Sequence, residues 1–162
     1  MTTIFRHDLP SPIGDMVLLS DGESLTGLLY PGHTTVSLAQ DARPDPGSFS
    51  LAVAQLEEYF AGERTVFDIP INPRGTAFQR RCWDALLTIP YGTTRSYGEI
   101  AAIVGEPGAA RAVGLANNRN PISIIVPCHR VIGADGSLTG YGGGMPAKRY
   151  LLDLESRGTT LF

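Results

Sequence analysis

At 162 residues and 43% apolar side chains, the chain can build one medium domain or two small ones around a real core. Its opening Met1-Thr2-Thr3-Ile4-Phe5-Arg6-His7-Asp8 lacks the apolar region of a signal peptide. No stretch approaches the roughly 18 apolar residues of a bilayer span, so a cytoplasmic protein with no membrane partner is expected. Cys82 and Cys128 make no CxxC pair, which speaks against a disulfide framework, and His7 and His33 are the only histidines in a cysteine-free first half, so no metal and no cofactor are expected.

The net charge of −3 hides an asymmetry. Residues 1–73 carry three Arg against ten acids, whereas residues 74–162 carry ten Lys plus Arg against six. A basic module joined to an acidic one is the pattern of a protein of which one half meets a polyanion.

In chain order, Met16-Val17-Leu18-Leu19, Asp21-Gly22 and Leu25 to Tyr30 predict a β-hairpin. Phe49, Ala52, Val53, Leu56 and Phe60 then recur at helical spacing up to Gly62 and predict an amphipathic helix covering the sheet. Val66 to Ile71 is a candidate strand, and the run from Pro70 to Gly75 is a plausible boundary, dividing the chain into residues 1–75 and 76–162.

The second half reads as mainly helical. Thr76 with Gln79, and Ser96 with Glu99, fit the capping box that opens a helix. The first helix carries Phe78, Cys82, Ala85 and Leu86 on one face, and the second carries Tyr97, Ile100 and Val104 and stops at Gly105. A short turn leads to Ala109-Ala110-Arg111-Ala112-Val113-Gly114-Leu115-Ala116, completing a helix-turn-helix. Small side chains around a single arginine suit either close approach to nucleic acid or tight packing inside the domain. A strand from Ile122 to Val126 and a glycine-rich loop, Gly140 to Gly144, follow, and a last helix begins at Pro146 with Ala147, Leu151 and Leu154 inward.

Between these elements lies Pro127-Cys128-His129-Arg130, a thiol beside an imidazole at the end of an apolar run. A thiol seated at a strand mouth is placed to be a nucleophile, whereas Cys82, on a helix face with Phe78 and Leu86, reads as a buried structural thiol. Neighbours on a strand point to opposite faces, so Cys128 and His129 cooperate only if the chain turns there.

Taken together, Pro127 to Arg130, Arg111-Ala112-Val113-Gly114, Asn120-Pro121 and Tyr141 ahead of the glycine loop resemble the active-site domain of the O6-alkylguanine-DNA alkyltransferases. More loosely, Ser11-Pro12-Ile13-Gly14 and Tyr59-Phe60-Ala61-Gly62 are similar to bacterial members of that family. The resemblance implies an α/β chain of two domains, a ribonuclease H-like sheet and helix followed by a mainly helical, winged helix-turn-helix-like domain. It further implies irreversible, stoichiometric transfer of an alkyl group from O6-alkylguanine, and less readily O4-alkylthymine, in double-stranded DNA by a monomer. Cys128 matches the acceptor, His129 the base that works through a water, Glu155 the residue orienting it, Tyr97 the proton donor to the base, and Asn120 the brace of the turn. Arg111 matches the side chain that fills the stack after base flipping, with Ala110, Ala112, Gly114, Tyr97 and Arg130 on the DNA side. Tyr141, Gly142, Gly143 and Val131 would wall the pocket, and Gly142 stands where some relatives have serine.

Two other readings stay open on the residues alone. A non-covalent lesion sensor of the alkyltransferase-like kind typically has tryptophan at the cysteine position. A thiol hydrolase usually draws its histidine from a distant segment and would leave the helix-turn-helix unexplained.

Overall fold

The hairpin forms where the pattern places it, because Asp21 Oδ1 accepts from the amides of Glu23 (2.9 Å) and Ser24 (2.8 Å), and Gly22 takes a φ of 100° that favours glycine. Its strands are β2 (Met16–Ser20) and β3 (Leu25–Leu29). The computed structural model describes residues 3–30, 42–44, 47, 49–137 and 145–159. Within these, β1 (Phe5–Leu9) pairs antiparallel with β2 from Phe5↔Ser20 to Leu9↔Met16, and the short β4 (Arg43–Pro44) adds parallel to β1, giving the order β3-β2-β1-β4. Neither β1 nor β4 has a distinctive sequence pattern: β1 interleaves Arg6, His7 and Asp8 among its apolar residues.

Alternation on β2 sends Met16 and Leu18 to one face and Leu19, with Leu29 of β3, to the other. Helix α1 (Ser50–Phe60) packs on the first face, burying Ala52, Gln55, Leu56 and Tyr59. The buried stripe is turned from the expected one, since Val53 and Phe60 are only half-buried while Tyr59 is sealed. The reason lies in Gln55, whose side chain accepts from the Asp68 amide (2.9 Å) and donates to its carbonyl (3.2 Å), drawing that side of the helix inward.

Those two bonds also explain why residues 66–71 are not a strand. Only Ile71 makes a bridge, to Leu25, and Pro70 has no N–H with which a ladder could extend. The backbone of the segment is satisfied by a side chain instead.

Both capping boxes are formed. Thr76 Oγ1 accepts from the Gln79 amide (3.1 Å) and opens α2 (Ala77–Leu86), while Ser96 Oγ accepts from the Glu99 amide (3.1 Å) and opens α3 (Tyr97–Ile103). Gly105, with φ 84°, ends the helix turn, and α4 (Ala110–Asn118) follows. The Trp83 indole, 1% exposed, donates to the Ala116 carbonyl at 2.9 Å and locks α2 to α4. The strand expected at 122–126 is also absent. Ile122 bridges Leu28, and the chain then coils through Val126 N–H to Ile122 O (3.0 Å), with Ile124 at φ 73°. A short, continuously apolar run is equally consistent with a buried turn, and here β3 offers pairing to its first residue alone.

Finally β5 (Arg95–Ser96) pairs parallel with β6 (Val131–Ile132), and α5 (Met145–Thr159) closes the structure with Ala147, Leu151 and Leu154 buried as expected. One contiguous cluster of buried apolar side chains runs from Leu18 and Leu56 to Val113 and Leu151, so the two halves share a core. No helix among the described residues is long and apolar enough to cross a membrane.

The seam is tight at Gly75, just before the cap of α2. A β-carbon there would collide with the Trp83 ring and lie 2.6 Å from Gln79 Oε1. Because the buried indole cannot yield, Gly75→Ala is expected to cost about 1–3 kcal/mol in chemical denaturation, by overpacking rather than by backbone strain.

Candidate active site

Cys128 does not end a strand. Cys128–Arg130 form one turn of 3-10 helix entered from Pro127 (φ −81°, ψ 66°), so the chain does turn where cooperation of thiol and imidazole requires it. The turn is held from behind. Asn120 donates through Nδ2 to the Val126 carbonyl (2.8 Å) and accepts at Oδ1 from the Ile122 amide (2.9 Å), clamping the coil that leads into Pro127. Asn117, one helical turn earlier, donates to the Cys128 carbonyl itself at 3.2 Å. The strained φ of Ile124, of order 1–3 kcal/mol for a β-branched residue, persists because this clamp and full burial over-determine it.

Cys128 is 2% exposed, reduced, and next to fully buried His129. His129 Nε2 lies 2.6 Å from Glu155 Oε2 on α5. Arg130 grips the same carboxylate bidentately, Nε to Oε1 at 2.7 Å and Nη2 to Oε2 at 3.0 Å, and gives Nη1 to the Ile89 carbonyl at 2.7 Å. Tyr59 of α1 donates its hydroxyl to Oε2 at 2.6 Å, and the Gly92 amide reaches Oε1 at 3.4 Å.

These contacts fix the protonation states. Burial works to raise the Glu155 pKa, but the hydrogen bonds from His129 and Arg130 and the charge of Arg130 outweigh it and hold the carboxyl well below the usual range, so Glu155 is an anion. Burial lowers the His129 pKa, against the pull of Glu155. A neutral imidazole facing an acceptor-only carboxylate carries its proton on Nε2, which leaves a lone pair on Nδ1. That Nδ1 is buried and has no hydrogen-bond partner among the described residues. The arrangement is an imidazole oriented from behind, with its Nδ1 lone pair unspent, one residue along the turn from a thiol.

Lys148 completes the electrostatics. It is fully buried on α5, donates to the Val131 carbonyl at 2.6 Å, and has its pKa lowered to about 8 by burial, a shift opposed by the nearby Cys128. A cation there favours the thiolate. Sequence reasoning missed Lys148, Asn117 and Tyr59. A signal existed for Lys148, since it falls on the same helical face as Ala147, Leu151 and Leu154, where a charge has no business unless it is paired.

The other expected residues fall into two groups. Val131, behind Cys128, pairs with Arg95 across the parallel β5–β6 bridge, which brings Tyr97, two residues on, to the same edge. Gly114 faces Tyr97, since a β-carbon on it would lie 3.8 Å from the Tyr97 ring. Arg111 and Ala112 are exposed on α4 and Ala110 is half-buried. Arg130 is the correction: its guanidinium is turned inward, spent on Glu155 and Ile89, and stacks 5.8 Å over Tyr91, so it belongs to the buried ion pair and not to a DNA-facing surface. The Tyr141, Gly142 and Gly143 wall lies outside the described residues.

A buried thiol, a carboxylate-oriented imidazole and a helix-turn-helix on one shared core fit the class of nucleic-acid-directed proteins that work through a cysteine. Two family models cover the chain, the 6-O-methylguanine DNA methyltransferase ribonuclease-like domain over residues 4–73 and its DNA binding domain over residues 77–157, and the chain belongs to that family. It is 62% identical over 152 residues, 94% of this chain and 92% of the relative, to the methylated-DNA--protein-cysteine methyltransferase of Mycobacterium tuberculosis. Among solved structures it is similar to the M. tuberculosis O6-methylguanine methyltransferase (TM-score 0.91, 57% identity, 99% of this chain and 97% of that one). It is also similar to M. tuberculosis OGT in complex with DNA (TM-score 0.90, 59% identity, 95% and 94%). The lesion-sensor and hydrolase readings give way to this membership.

The ion pair makes stability pH-dependent. Both His129 and Glu155 have native pKa values below their ordinary 6.5 and 4.5, so the unfolded chain takes up protons first. Their contribution is complete above pH 6.5, falls as acid is added through the His129 window, and falls again below 4.5. Urea midpoints measured across this range should follow that order. Glu155→Gln, which leaves Arg130 buried and uncompensated, should cost about 3–5 kcal/mol at neutral pH and abolish the lower phase.

Proposed function

We propose that the protein reverses alkylation damage in double-stranded DNA by taking the alkyl group of O6-alkylguanine, and less readily O4-alkylthymine, onto Cys128, acting as a monomer. The single observation that carries this reading is the imidazole of His129: anchored through Nε2 to Glu155, it keeps a buried, unpartnered Nδ1 next to the one thiol on the turn.

The chemistry follows from the groups. His129 Nδ1 takes the Cys128 proton through an intervening water, and the negative charge left on sulfur is favoured by Lys148. The thiolate attacks the saturated alkyl carbon in line. A sulfur–carbon bond forms as the carbon–O6 bond breaks, and the bonding pair goes to the guanine oxygen. Tyr97 delivers a proton to the departing base and is re-protonated from His129 by way of solvent. The product is a thioether with no carbonyl for water to attack, so each protein molecule acts once.

A base stacked in a duplex hides its O6 substituent, so the nucleotide must rotate out. The exposed, small-residue face of α4 supports this part of the reading, with Arg111 long enough to enter the gap. The basic balance of the second half supplies the phosphate contacts.

Incubation with DNA containing O6-methylguanine, followed by intact mass measurement, should show a single methyl adduct, absent from Cys128→Ala. An unmodified wild-type mass would end the proposal. Arg111→Ala should slow repair of duplex at least ten-fold while leaving transfer from a soluble O6-alkylguanine base nearly unchanged; equal losses on both would remove the flipping role.

A further inference from the structure

Three of the four donors to the Glu155 carboxylate, namely His129, Arg130 and the Gly92 amide, lie in the second half of the chain. The fourth, Tyr59, reaches across from α1 in the first half. Its ring is fully buried against Phe60, Phe67 and Tyr91, at centroid distances of 5.5, 5.4 and 6.2 Å. A phenylalanine would fill that aromatic site equally well. The hydroxyl is therefore the informative part, since burying it is costly unless it is bonded, and it is bonded to the oxygen that His129 also uses.

Of the three bonds to Oε2, those from Tyr59 and His129 are the short ones at 2.6 Å, in the range of charge-assisted hydrogen bonds, and the Arg130 Nη2 bond is 3.0 Å. Donors on one oxygen share its electron density, so a stronger phenol bond weakens the pull of Glu155 on the imidazole proton. Burial and the Glu155 charge raise the Tyr59 pKa far above its ordinary value, which keeps the phenol a donor at every working pH.

We infer that Tyr59 is a positioning residue for alkyl transfer: its phenol shares Glu155 Oε2 with His129, fixes the carboxylate on the imidazole, and sets how readily His129 accepts the Cys128 proton. The inference rests on the reading that His129 is the base. It gives the acidic first half a part in the chemistry beyond covering the core. The titratable and charged groups facing this cluster are His129, Arg130 and Lys148, with Tyr91 near the carboxylate, Arg157 near Tyr91 and Tyr30 beside Tyr59.

The test is the pH profile of transfer from a soluble O6-alkylguanine base, which bypasses DNA binding. In Tyr59→Phe, Glu155 holds the imidazolium more strongly, so the acid limb should move to higher pH and transfer on that limb should slow at least three-fold, with DNA affinity unchanged. Site-specific 3-fluorotyrosine at position 59, a stronger donor in a nearly native shape, should move the limb the opposite way, and it serves if Tyr59→Phe does not fold. A limb that stays in place in the folded variants overturns the proposal, even if their melting temperatures fall, because packing alone lowers stability without moving the profile. Wild-type protein run alongside separates the two levels: no adduct at Cys128 defeats the site reading, whereas a normal wild-type adduct with unmoved variant profiles defeats only the role of Tyr59.

Discussion

A carboxylate in a place sealed from water, 1% exposed, is the constraint on which this structure depends. An isolated buried charge would protonate or unfold the site, so Glu155 persists as an anion only because Arg130, His129, Tyr59 and the Gly92 amide are all aimed at it. Those partners come from the first-half helix, the turn after α2 and the cysteine turn, and they meet Glu155 on the last helix. Satisfying one carboxylate therefore assembles the whole site and docks the two halves in a single register. It also fixes the tautomer of the imidazole, which burial keeps neutral against the pull of the carboxylate.

The cysteine gains its position from a second device. A strand would have separated Cys128 and His129 onto opposite faces. The coil after Pro121, strained at Ile124 and clamped by Asn120, delivers the chain into a 3-10 turn that carries both residues, with the Cys128 carbonyl held by Asn117. Backbone strain of this kind is tolerated where the surroundings leave no alternative, and here those surroundings are a fully buried apolar run packed on both halves of the core.

The two cysteines show how environment divides one chemistry into two outcomes. Burial among apolar side chains on α2 raises the Cys82 pKa and leaves that thiol inert. Cys128 is equally buried, but the Lys148 ammonium on α5 couples to it and an imidazole shares its turn. Arg130 underlines the same point from the other side, since a basic residue in a basic half is spent internally while Arg111 on α4 stays exposed.

Much was legible in the sequence because it is local. The hairpin turn at Asp21-Gly22, both capping boxes, the stop at Gly105 and the inward face of α5 depend on interactions within a few residues, and each formed. The Cys128-His129 dipeptide, with the alanine and glycine helix around Arg111, was likewise visible as a motif. What tertiary structure alone decided is everything that depends on partners far along the chain. The 66–71 and 122–126 segments lost their strand character to the Gln55 side chain and to the single pairing offered by Leu28, and Arg130 went inward because a carboxylate 25 residues away required it. Tyr59 became part of the site only through a contact 96 residues distant. Periodicity reports which side of an element faces apolar surroundings, but it carries no information on which polar atom waits there, and that pairing is settled only when the charge of Glu155 is enclosed.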